Sequence, residues 1–155
     1  MESSIKKLAL KESIIKRALE VFRDRMQEKR EHQLELMEDA QSIDNETYEM
    51  TTESNKEEIY EEIDRRAEAM DTMQDELQNL ARLAPTLQPV VGKGSVIITD
   101  KENFFVAASI PSFKVKDTKY VGISMEAPIF EEMKGKLAGD KVTFKKKTYE
   151  IRDVF

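Results

Sequence analysis

Apolar side chains recur at Met1, Ile5, Leu8, Ile15, Leu19, Phe22, Met26, Leu36, Ala40 and Ile43, a four-three spacing interrupted at Glu12, Lys29 and Gln33. This is a heptad seam, the pattern of a helix that turns one face to a partner helix. A second seam runs through Ile59, Ile63, Arg66, Met70, Met73, Leu77, Leu80 and Ala84, with Arg66 its polar member. No Pro or Gly precedes Pro85, so nothing in either stretch forces a break. A helix with a single apolar stripe is stable mainly through burying that stripe. Two seams of matched length around a polar middle, 41–54, therefore predict a long antiparallel coiled-coil hairpin. A turn near residue 44 sets Leu8 by Leu80, Ile15 by Met73 and Lys29 by Ile59. Ser54 followed by Glu57 reads as a capping box opening the second helix, with Asp44 as an alternative earlier cap. Self-assembly into an intermolecular coiled coil is the competing use of the same seams.

Beyond Ala84 the period changes. Pro85 and Pro89 end the second helix and make 85–92 a short stiff linker. The runs 95–99 and 104–108 are strand-like and joined by the polar turn 100–103, which predicts a hairpin. A third strand is expected over 119–124 and a short helix from Pro128 to residue 134, since Pro suits the first helical position. Gly135 and Gly139 bracket the next turn. The strands 142–144 and 148–152 then close the chain around Lys145, Lys146 and Lys147. Ile97, Phe105, Val106, Val121, Ile123, Ile129, Val142 and Ile151 supply a modest core. The expected organisation is α+β: a helical hairpin over 1–84, with its tip near 41–50, then the linker, then a β-rich domain over 93–155 with one short helix.

Charge adds a direction to this picture. Between Glu35 and Asp64 lie twelve carboxylates and one cation, Lys56, so this segment alone is −11. Residues 1–30 carry nine cations and five anions, while 85–155 is net +3. The hairpin is thus basic at its base and acidic at its tip, which argues against wrapping nucleic acid with the whole surface. Lys16, Arg17, Arg23, Arg25 and Arg30 form a limited basic set that would suit RNA phosphates, or simply a solvated face. The chain has no cysteine, which excludes disulfides and Cys-based zinc sites. Its first twenty residues interrupt every apolar pair with charge, so neither a signal-peptide core nor a membrane span can be drawn there. A cytoplasmic protein without membrane association is expected. The single His32 has no second histidine or nucleophile at recognisable spacing, and the three lysines of 145–147 read as a turn that blunts a sheet edge.

Ile123-Ser124, Ala127-Pro128-Ile129, Gly135-Lys136, Gly139-Asp140, Val142 and Tyr149-Glu150-Ile151, set after a helical hairpin, resemble the Gre transcript-cleavage and elongation factors of bacterial RNA polymerase. The resemblance covers nearly the whole chain through its order of parts. It implies an FKBP-like carboxy-terminal domain docking at the rim of the polymerase secondary channel, with Ser124, Pro128, Gly139 and Asp140 as docking residues. It also implies a coiled coil inserted toward the polymerase active site, whose tip carboxylates help hold a Mg²⁺ shared with the polymerase. The factor would have no catalysis and no cofactor of its own. Hard carboxylate oxygens suit Mg²⁺, and two-metal phosphoryl chemistry requires both reacting oxygens to be neutralised. The family tip, Asp, two residues, then Glu-Asn-Ala-Glu-Tyr, falls here on Gln41-Ser42-Ile43-Asp44-Asn45-Glu46-Thr47-Tyr48. Asp44, Asn45 and Tyr48 fit; Gln41 and Thr47 replace acids. Asp44 and Glu46 are the expected tip and metal-binding residues, with Asp39 and Glu49 as substitutes. A Gre-like protein that occupies the channel without cleaving would inhibit or modulate transcription. The alternative from another class is a coiled-coil adaptor with a protein-binding β-rich domain; the hairpin reading predicts a monomer. A prolyl isomerase is a third reading by fold analogy.

Overall fold

The computed structural model describes the backbone of residues 2–46 and 53–155 and the side chains of 2–39 and 57–155. Element order is α1 (Glu2–Glu46), α2 (Glu53–Ala81), β1 (Val96–Thr99), β2 (Asn103–Val106), β3 (Ile110–Val115), β4 (Thr118–Ile123), α3 (Pro128–Met133), β5 (Lys141–Phe144) and β6 (Lys147–Val154). The fold class is α+β: a long helical region followed by a six-stranded mixed sheet with one short helix. Among the described residues no helix is long and apolar enough to cross a membrane. The chain divides into two compact units, residues 1–22 with 76–155, and residues 23–75.

Within the second unit α1 and α2 run antiparallel. The Gln33 amide donates to the Ile63 carbonyl at 3.0 Å, and the Arg30 guanidinium donates to Gln74 Oε1 at 3.3 Å. This register differs from the expected one, since pairing Lys29 with Ile59 would set Gln33 beside Asn55, about two turns away. The reason is the length of α1. Ser42, Asp44 and Asn45 each disfavour a helix interior by only some tenths of a kcal/mol, and no Gly or Pro intervenes. The helix therefore runs to Glu46 and α2 opens at Glu53, so the expected turn near residue 44 is helical backbone. Because α2 opens at Glu53, Ser54 stands inside it and not ahead of it.

In the first unit the buried face of α1 is Lys11, Ile14, Ile15, Ala18 and Phe22, and Leu80 of α2 is buried as well. Ile5 and Leu8, expected in the seam, are exposed. The shifted register explains this. Lys11 already meets the Thr86 carbonyl beyond the end of α2, so the two residues before it have no helix opposite them. The stretch after α2 is tied down too: Val91 donates to the Lys136 carbonyl and accepts from Gly135, both at 3.0 Å.

Sheet order is β3-β4-β2-β1-β6-β5, with β2 and β4 parallel and the other neighbours antiparallel. The predicted hairpins β1–β2 and β5–β6 form, and β3 is an added strand between the second and third expected ones. A parallel β2–β4 pair requires a crossover, and β3 supplies it by folding back on β4. The crossover passes close over Gly122, where a Cβ would lie 2.5 Å from the Ala108 carbonyl oxygen and 2.8 Å from Ile110 Cβ. One core gathers Ile97, Phe104, Val106, Ile123, Tyr149 and Ile151 under Phe130 and Met133 of α3. Phe104 and Tyr149 meet edge to face, with centroids 5.7 Å apart.

Candidate functional site

The acidic stretch is built on the facing ends of α1 and α2. Asp39, Asp44 and Glu46 stand in the last turns of α1; Asp39 is exposed. The side chains of Asp44 and Glu46 lie outside the described residues, as do Glu49, Thr47 and Tyr48 entirely. The stretch expected to be an irregular tip is thus partly helical, because continuing α1 costs little at these residues. On α2, Glu62 accepts from both Arg65 and Arg66 at 2.8 Å. These two hydrogen bonds, Arg66 first, hold its carboxyl below the usual carboxylate range. Glu62 is therefore committed locally, and the acid open to a partner comes from its neighbours. Among the described residues no group of three or more His, Cys, Asp or Glu could hold a metal ion.

The paired helices carry a different chemistry lower down. Lys29 and His32 of α1 and Arg66 of α2 line a groove of about 400 Å³ with Ala69 and Met70. His32 and Arg66 are both open to solvent there and paired in part with acids, His32 Nδ1 lying 3.9 Å from Glu35 and Arg66 bonding Glu62. Of the basic set named from the sequence, Arg17 pairs with Glu20 at 3.0 Å and Arg30 with Gln74. Gln33 fills a seam position. Its amide nitrogen is satisfied by Ile63, while its buried Oε1 has no hydrogen-bond partner among the described residues.

The four expected docking residues occupy two turns and are explained locally. The Ser124 carbonyl accepts from Ala127 N–H at 3.1 Å, and Pro128 follows as the first residue of α3. Gly139 has φ +96° and donates to the Ile151 carbonyl at 2.6 Å. Asp140 Oδ2 accepts from Leu137 N–H at 2.8 Å, and its carbonyl accepts from Ile151. These contacts build the approach to α3 and anchor the β5–β6 hairpin. Pro128 and Gly139 are exposed.

Sequence reasoning passed over Lys11, Leu34 and Met37. Lys11 is 1 % exposed and donates to the Thr86 carbonyl at 2.5 Å; burial pushes its ammonium down to about 8. Nothing in the heptad pattern singles out a lysine between Leu8 and Ile15. Leu34 and Met37 are apolar yet lie off the seam, a signal that was legible, and both are exposed.

No protein-family model matches the sequence, and no curated protein matches it. Among solved structures the chain is similar to GreA factor homolog 1 (Gfh1) of Thermus thermophilus, at 19 % identity over 88 % of this chain and 94 % of that one, with a TM-score of 0.40. It is also similar to a structure of the transcription factor Gfh1, at 20 % identity over 89 % of this chain and 92 % of that one, TM-score 0.35. Thermus aquaticus Gfh1 is a third, at 19 % identity over 87 % of this chain and 92 % of that one, TM-score 0.35.

Proposed function

We infer that this chain is a Gre-like transcription factor that binds bacterial RNA polymerase through the secondary channel and modulates elongation, acting on the polymerase active site and not as an enzyme itself. The observation that carries the reading is the place of the fold-back. Two antiparallel helices, one ending at Glu46 and the other opening at Glu53, place both of these ends inside the run of twelve carboxylates between Glu35 and Asp64. A paired helix end is a stiff support, so acids delivered on it would be positioned with little ordering penalty when they act. The six-stranded unit with the Ser124 and Gly139-Asp140 turns supports the same reading through the residues that resemble Gre factors.

Asp44 and Glu46 would supply carboxylate oxygens, a donor type that fits Mg²⁺, to an ion shared with the polymerase. That ion would neutralise charge on the reacting oxygens of the RNA phosphodiester. Gln41 and Thr47, in place of acids, favour a factor that occupies the channel over one that drives cleavage strongly. Such a factor works as a cytoplasmic monomer, which separates it from the coiled-coil adaptor, whose mass in solution would rise with concentration.

The test adds the purified chain to backtracked elongation complexes with Mg²⁺ and follows association and RNA 3′-end shortening. Association is expected, and Asp44→Asn with Glu46→Gln should abolish the effect on paused complexes while changing affinity by less than about threefold, under 1 kcal/mol. Equal loss of binding and effect would make the acids docking groups. Absence of association would end the polymerase reading.

A further inference from the structure

A groove on the helix pair of residues 23–75 matches none of the roles above. It holds about 460 Å³ and is lined by Leu34 of α1 and by Ala67 and Met70 of α2. Arg30 and Gln74 close one end through their hydrogen bond. The helical stripes that line the groove run on beyond it by simple periodicity. Met37 is three residues beyond Leu34 on α1, and Tyr60 is seven before Ala67 on α2, so each shares a stripe with its groove-lining neighbour. The antiparallel pairing carries both stripes in the same direction. Leu34 is 60 % exposed and Met37 and Tyr60 are each 44 % exposed. Two adjacent helices presenting apolar residues outside their own seam form the receiving half of a three-helix contact.

The surrounding charge selects the occupant. Within the groove Asp71 offsets Arg30, and the excess acid comes from Asp64, which lies on the Tyr60–Ala67 stripe four residues after the first and three before the second. Glu38 and Glu57 flank Met37 and Tyr60 in sequence, within a segment that is net −11. The same groove of a second copy would bring like charge against like charge. An amphipathic helix with an apolar stripe and Lys or Arg on its flanks satisfies both the groove and its rim. The geometry points to this groove as the docking site of a basic amphipathic helix from a partner protein, seated on Leu34, Met37, Tyr60 and Ala67. The assignment goes beyond the transcription reading and does not depend on it.

The probe is a synthetic 16-residue peptide with Leu at helical i, i+3, i+4, i+7 spacing and Lys elsewhere. It is compared with a scrambled peptide of identical composition, using fluorescence anisotropy with the full-length chain. The ordered peptide should bind at least tenfold more tightly than the scrambled one. Leu34→Ser with Met37→Ser should remove that preference, whereas Ile5→Ser, at an exposed apolar residue outside the groove, should leave it intact. The three substitutions are at exposed positions, and unchanged helical circular dichroism and melting temperature confirm that the variants fold. Equal binding of both peptides would show that bulk charge alone is at work, and an undiminished preference in the groove variant would place the peptide on another face; either result overturns the assignment. So would concentration-dependent self-association of the wild-type chain that Leu34→Ser abolishes, since the groove would then belong to a second copy.

Discussion

Gly122 and Lys11 illustrate how single side chains set limits on this fold. At Gly122 the crossover from β2 to β3 leaves no room for a methyl group, and the nearest obstacle is a backbone carbonyl, which cannot swing aside. Gly122→Ala should destabilise the chain by about 2–3 kcal/mol, read from denaturant unfolding. Lys11 presents an electrostatic limit. Its folded pKa lies near 8 against 10.5 when exposed, so between these values the unfolded chain holds a proton that the folded chain has lost. Stability should therefore rise with pH from about 8 to 10.5, by roughly 1–3 kcal/mol. The penalty of burying the charge is fully present below that window. Lys11→Met should lack this rise, and melting curves of the two proteins across pH 7–11 provide the comparison.

At the scale of elements, the two-residue turns of the β-hairpins are the exposed weak points. Lys116 and Asp117, and likewise Lys145 and Lys146, all have positive φ. Such turns favour Asn-Gly, because a Cβ in the left-handed region costs on the order of 1 kcal/mol. Replacing Lys145-Lys146 by Asn-Gly should raise stability by about 1 kcal/mol, measured as a higher denaturant midpoint with an unchanged slope. Turn chemistry alone does not explain why β3 was not legible. What sets β3 apart from β5–β6, whose turn equally lacks Gly and Asn, is a register irregularity between Ile110 and Phe113 that lets both be buried although an odd spacing separates them. Period-two reading fails across such a bulge. The helices were legible because their apolar seams recur over many turns despite a few polar entries, and the β1–β2 and β5–β6 hairpins because short apolar runs flank polar turns. The pairing register of α1 and α2 was not, since it depends on how far α1 persists through weakly disfavoured residues.

For the whole molecule, the division of charge is the property that a partner would meet first. The segment from Glu35 to Asp64 is −11 and residues 85–155 are +3. Asp44 and Glu46 are candidates drawn from composition and the resemblance together, with side chains outside the described residues, whereas the groove at Leu34 emerged only once the register was known. The most direct measurement of the central claim replaces the active-site Mg²⁺ of bacterial RNA polymerase by Fe²⁺ and generates hydroxyl radicals there in the presence of the end-labelled chain. The account predicts polypeptide cuts confined to residues 41–50 and competed away by excess unlabelled chain. An uncut chain that nonetheless binds polymerase, or cuts falling within residues 93–155, would contradict it.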